Sequence, residues 1–348
     1  MSELIPAANP LGLAAPVWLL LALKVFGFFL HLVFMNLWVA GLPTALYLLR
    51  SKPAVAERLF HALPFFMAFG INAGIVPLLF LQVLYPHFFY PATILQAWFW
   101  FAVIPLLLIA YYAVYLASFN KFRIASALVA TLLLSVIGLM FSSAMTLTAN
   151  PQEWPKIFMD SAQGGAVHGR YLYFKLEVLL RFLLVVGMAF GTLAAYFAAV
   201  AEWFAKNAAH KNDLRGLVPL YLLGAAVYAA AGLVYGSTIM EMIPPLWFGV
   251  AGASLLAGTL FAVAYWRNPN RSKAAALIAA QLLVLASNAI LRQSVQVSEL
   301  MQWYDPYQAP MRGEWGSVAL FVATLAVGIP IVAWIVRVAM RSTKTAAP

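Results

Sequence analysis

Nine stretches of mostly apolar residues, each long enough to cross a lipid bilayer, run through this 348-residue chain and decide what it can fold into. Crossing the roughly 30 Å hydrocarbon core takes about 20 residues of α-helix, and hydrocarbon offers no partner to an open backbone N–H or C=O. The stretches at 17–49, 59–84, 94–118, 125–148, 172–204, 217–240, 246–266, 273–292 and 316–338 therefore read as nine spans. The first and fifth, at 33 residues each, tilt or project beyond the bilayer. Only 9% of residues are charged and 64% are apolar. A soluble domain carries about a quarter of its residues charged. No short basic region, apolar core and cleavage site opens the chain, so its first stretch reads as a span and not as a signal peptide.

The charges give the direction. Arg50, Lys52 and Arg58, then Lys121 and Arg123, then Lys206, Lys211 and Arg215, then Arg267, Arg271 and Lys273 fill alternate connections, and Arg337, Arg341 and Lys344 follow the last span. These are 14 of the 21 basic residues. The positive-inside rule puts that side, with the C-terminus, in the cytoplasm, and an odd number of spans puts the N-terminus outside. Basic residues spread between spans are a topology signal and form no nucleic-acid patch. The expected fold is a single all-α membrane domain. Its parts are one four-helix unit over 1–148, a second over 172–292, and a last helix at 316–338. The outer connections 149–171 and 293–315 carry Trp154, Trp303, Tyr304, Tyr307 and Trp315. Such aromatics mark an interfacial belt or a docking surface.

Ionisable groups at membrane depth are functional candidates by default. Here they gather toward the outer face: Lys24 and His31 two turns apart on one helix, Glu177 and Arg181 at i and i+4 on another, and Lys175, Glu241 and Arg292 at span ends. Lys24, Glu241 and Arg292 read equally as cations and an acid snorkelling to the interface, and Glu177–Arg181 as a structural ion pair. Of five histidines, only His31 lies well inside a span, where it either ligates a cofactor or bonds a neighbouring carbonyl. A bundle holding two haems between paired histidines needs four, and is excluded. The chain has no cysteine, which removes disulfides, Fe–S clusters and covalent haem c.

The order of short motifs resembles subunit I of the cytochrome bd-type quinol oxidases. His31-Leu32-Val33-Phe34 looks like that family's first-span His-Phe-Leu-Phe, and Phe69-Gly70-Ile71-Asn72 matches its second-span run. Ala149-Asn150-Pro151-Gln152-Glu153-Trp154 follows the fourth span where the family has an Asn/Pro/Trp-rich segment. Pro245-Leu246-Trp247-Phe248 opens the seventh span, and Arg292-Gln293 ends the eighth where the family has Gly-Arg-Gln-Pro-Trp. The resemblance implies nine spans in a prokaryotic cytoplasmic membrane, one haem b on His31, and quinol as substrate.

The departures are as informative. The stretch from Gln96 to Tyr112 lacks the family's third-span acids, and Val178 and Ala253 stand near its fifth-span histidine and its methionine. Leu282 stands near its acid before Arg-Gln, Leu291, Ser294 and Val295 replace glycine, proline and tryptophan around that motif, and the quinol-binding loop has shrunk to Glu241–Pro245. The expectation is a divergent subunit of a respiratory electron-transfer complex that does not itself reduce oxygen. Lys24, Arg181 or Arg292 would pair with haem propionates, and Glu177 would take a proton from quinol beside Arg181. External redox subunits such as c-type cytochromes would be partners. The alternatives are a cofactor-free anchor subunit and, further off, a small-molecule or ion transporter.

Overall fold

The computed structural model describes residues 5–8, 10–164, 166–313 and 315–345. Among these, eight helices are long and apolar enough to cross a membrane. They are α1 (Val17–Ser51), α2 (Pro53–Leu84), α4 (Ala97–Ser118), α5 (Arg123–Ala149), α7 (Leu176–Ala199), α9 (Leu220–Ile239), α10 (Pro245–Arg267) and α11 (Arg271–Met301). Three short helices join them: α3 (Pro86–Leu95), α6 (Trp154–Ser161) and α8 (Ala208–Arg215). Helix α12 (Trp315–Thr345) covers the ninth apolar stretch, with Val318–Gly328 as its apolar segment.

Proline sets several boundaries. Pro53, Pro86 and Pro245 each stand at the first turn of a helix, where the missing N–H is not needed. Only Lys52 separates α1 from α2, so the first basic connection is tighter than the charges at 50–58 suggest. Asn207 and Asn270 cap α8 and α11 by accepting from the backbone N–H of His210 (2.8 Å) and Lys273 (2.9 Å).

Consecutive spans pair as hairpins, α1 with α2, α4 with α5, α7 with α9 and α10 with α11. Helix α1 also packs on α5, α7 and α11, so it lies among partners on several sides. At the α7–α9 crossing the two helix backbones approach closely. A Cβ at Gly187 would lie 2.6 Å from the Tyr228 nitrogen, and one at Gly224 would lie 2.5 Å from the Gly187 carbonyl oxygen.

The short basic connections share one end of the bundle. Lys52 bonds Asp213 at 2.5 Å, Arg123 bonds Glu57 at 3.2 Å, and Arg271 bonds the Glu202 carbonyl at 3.3 Å. The opposite end carries the long connections. There α6 and the hairpin β1 (Ala162–Gln163) with β2 (Ala166–Val167) follow α5. The N-terminal segment joins the 306–312 loop, with Leu13 N–H donating to the Pro310 carbonyl and Arg312 N–H to the Leu13 carbonyl, both 2.8 Å.

The connection after the second span is largely helix α3, whose His87, Phe88, Phe89 and Ala92 are buried. One expectation needs correcting. The eighth span does not stop at residue 292: α11 continues to Met301, so all of 293–301 is helix and not extended loop. It continues because its polar residues find partners. Gln296 and Glu299 bond side chains on α1 and α7.

Candidate functional site

At the long-loop end, α1, α7 and α11 bring together five of the seven ionisable residues singled out in the sequence: Lys24, His31, Glu177, Arg181 and Arg292. Helix α1 contributes Lys24 and His31. Lys24 is 8% exposed, donates to the Gln296 amide oxygen of α11, and sits 5.5 Å from the centre of the Tyr85 ring. The side chain is thus held inside the bundle and does not snorkel.

His31 turns to α2. Its Nδ1 lies 2.7 Å from the Gly70 carbonyl. A carbonyl only accepts, so Nδ1 carries the proton and, in the neutral ring, Nε2 keeps a free lone pair. No hydrogen bond to Nε2 is seen among the described residues, and Nε2 is not one of the buried unpartnered atoms. Gly74 makes room for the ring, since a Cβ there would fall 2.7 Å from Nδ1 and 2.8 Å from Cε1.

Arg181 is the hub of the other half. It pairs with Glu177 one turn earlier on α7 and with Glu299 of α11 at 3.5 Å. Its Nε donates to the Tyr235 hydroxyl of α9 at 3.1 Å, and the guanidinium lies 5.4 Å over that ring. Two carboxylates thus share one cation, and Glu299 Oε2 is buried without a hydrogen bond. Arg292 is placed differently: it stacks over Phe28 at 4.7 Å, is exposed on the helix surface, and has no acid partner among the described residues.

Glu299, Gln296 and Tyr235 belong to this cluster and were not anticipated. Gln296 and Glu299 fell in a segment read as loop, and Tyr235 resembles any interfacial aromatic. Their signal was helical spacing: Arg292, Gln296 and Glu299 recur at four and three residues along one face. Glu241 stands apart, in the turn Met240–Met242, with no partner role in the cluster.

An iron-ligating histidine normally anchors its other ring N–H on a carbonyl or carboxylate, as His31 does on Gly70. An arginine without an acid partner is free to pair with an anion, and Arg292 has none among the described residues. No group of three or more His, Asp and Glu side chains capable of holding a bare metal ion occurs among the described residues.

Two further polar features flank the cluster. Mid-bundle, Asn36 and Gln281 both donate to the Thr192 hydroxyl, at 3.1 and 3.0 Å, and Thr192 donates to the Met188 carbonyl at 2.8 Å. This neutral knot ties α1, α7 and α11 together. Above the cluster, His87 packs against Tyr304 with ring centres 4.4 Å apart and bonds through neither nitrogen. Burial pulls its pKa down to about 4. Beside it, Lys175 bonds Glu153 at 2.6 Å, which raises the pKa of the amine and ties the 150s turn to the start of α7.

A scan of the sequence against models of protein families finds no match, and a search of curated proteins finds none.

Proposed function

We propose that this chain is a membrane subunit of an electron-transfer complex, with a quinol headgroup bound at the long-loop end and one haem b held by His31. The observation that carries the reading is the fixed imidazole: Nδ1 on Gly70 and Nε2 free, at membrane depth, in a cluster rich in ionisable groups. The motif order shared with bd-type subunit I supports it, and the ligands missing from that pattern argue against oxygen reduction by this chain alone. When bound, the haem would supply one-electron transfer.

The chain's own residues do the rest. Glu177 and Glu299 are the carboxylates able to accept protons from a quinol hydroxyl, and Arg181 holds both in place. Lys24 and Arg292 balance negative charge on a bound group. The orientation that goes with this reading has the N-terminus outside and the cluster on the outer side. Extracytoplasmic redox proteins, c-type cytochromes among them, then meet the long loops.

A reduced-minus-oxidised visible spectrum of the purified protein tests the haem. A Soret and α-band signal is expected in the wild type and is lost in His31→Ala. A colourless wild type overturns it. Quinol turnover that survives intact in Glu177→Gln removes the proton role from that residue.

A second reading is an anchor subunit without cofactors. It is favoured by closure of the cluster on itself, with Lys24 on Gln296 and Arg181 on Glu177, Glu299 and Tyr235. The colourless outcome supports it.

A further inference from the structure

At the basic end, α7 does not finish as a regular helix. Residues Val200–Phe204 form a single widened turn, in which Ala205 N–H donates to the Val200 carbonyl at 2.8 Å. Turns of this kind are rare and recur at functional sites. This one aims the Glu202 side chain inward, 3% exposed, and leaves Trp203 and Phe204 outside, 43% and 70% exposed.

The Glu202 carboxylate is crowded with donors. Arg215 gives it two hydrogen bonds, from Nε at 3.0 Å and Nη2 at 2.7 Å. The Tyr265 hydroxyl donates at 2.9 Å and Lys211 pairs at 3.0 Å. Arg271 Nε reaches the Glu202 carbonyl at 3.3 Å. Lys211 and Arg215 are thus fixed on the carboxylate and Arg271 on the backbone carbonyl of the same residue, and Asp213, the acid on the same helix as Lys211 and Arg215, is taken by Lys52. Two positive charges are left over. Lys211 and Arg215 remain partly exposed, and Arg271 is exposed. Trp266, 54% exposed, follows Tyr265 at the end of α10.

We propose that this is a binding site for the phosphate of an anionic phospholipid, held by Lys211, Arg215 and Arg271. Glu202 acts as the internal strut that positions those cations. Exposed tryptophans mark headgroup depth, and basic pockets between spans at that depth suit anionic lipid headgroups. A free phosphate anion offers the same charge but has no acyl chain to lie against Trp203, Phe204 and Trp266, which favours the lipid. The site is independent of the redox reading, because it uses none of its residues.

The test is competition between phosphatidylglycerol and phosphatidylcholine of identical acyl chains, offered in equal amounts to the full chain in neutral detergent and counted by native mass spectrometry. The wild type is expected to retain phosphatidylglycerol preferentially. Arg271→Gln should lower that preference about fivefold, the effect of one basic residue at a membrane surface. Lys211→Gln should act similarly, and serves if Arg271→Gln does not fold. Arg267→Gln removes an equal charge from the same connection without touching Glu202, and should change little. Equal retention of both lipids by the wild type, or equal losses in Arg267→Gln and Arg271→Gln, overturns the site. Displacement of the lipid by millimolar inorganic phosphate overturns its assignment to a phospholipid.

Discussion

The position of His31 depends on a missing side chain. Gly74 lies against the imidazole so closely that any Cβ would displace it, while Gly70 supplies the carbonyl that orients it. Gly74→Ala should therefore break the Nδ1 hydrogen bond and cost about 1–3 kcal/mol, the usual range for overpacking. A thermal unfolding series in detergent checks this, with Gly249→Ala as the neutral control because nothing lies within 4 Å of a Cβ there. Arg181→Met should be worse than Glu177→Gln. The first leaves Glu177 and Glu299 facing each other without their shared cation, and breaking a buried ion pair costs about 3–5 kcal/mol. The second leaves Arg181 with Glu299 and Tyr235. His87 predicts a pH dependence. Its ordinary pKa is about 6.5 and burial lowers it to about 4. Below about 6.5 the unfolded chain binds a proton that the folded one refuses. Stability contributed by neutral His87 is thus fully present above that pH and declines as pH falls toward about 4. The slope of melting temperature against pH over this window should flatten in His87→Phe. Single residues were legible in part. Membrane depth betrayed Lys24, His31, Glu177, Arg181 and Arg292, whereas Gly74 and Tyr235 carry no sequence mark that separates them from other glycines and tyrosines in spans.

At the level of elements, the apolar stretches were readable and their polar continuations were not. Helix α11 was expected to end at Arg292 because Gln293, Ser294, Gln296 and Glu299 look unfit for a membrane. Pairing with Lys24 and Arg181 makes the extra turns tolerable. Hydropathy sums one residue at a time and is blind to such pairing. Helix α3 is not marked by hydropathy, because ten residues are too few to span. Glycine governs how α7 meets α9. Gly187 and Gly224 let the two backbones touch, as small residues commonly do at membrane crossings. Gly224→Val should separate the helices, lower thermal stability, and loosen the Asn288–Tyr228 hydrogen bond (3.2 Å) that bridges α11 to α9. Stability unchanged from wild type would show that the crossing tolerates a wider gap.

For the molecule as a whole, alternation of charge in the connections is the feature with most reach. It sorted the loops into two ends, and two ion pairs and a side chain-to-carbonyl hydrogen bond between segments far apart in sequence join them at one of these ends. Because the chain has no cysteine, single thiols report sidedness directly. A membrane-impermeant maleimide added to intact cells should label Gln163→Cys, in the hairpin after α6, and spare Asn268→Cys, between α10 and α11. The reverse pattern would invert the orientation. The pairing of Leu13 with the 310–312 segment bears on how the protein is made. The partner of this early segment is translated only after α11, so the long-loop end cannot close during synthesis. Until then the nascent chain holds the top of α1 open, with Lys24 awaiting Gln296. Ribosome-stalled chains truncated before residue 306 are the species in which to look for that open state.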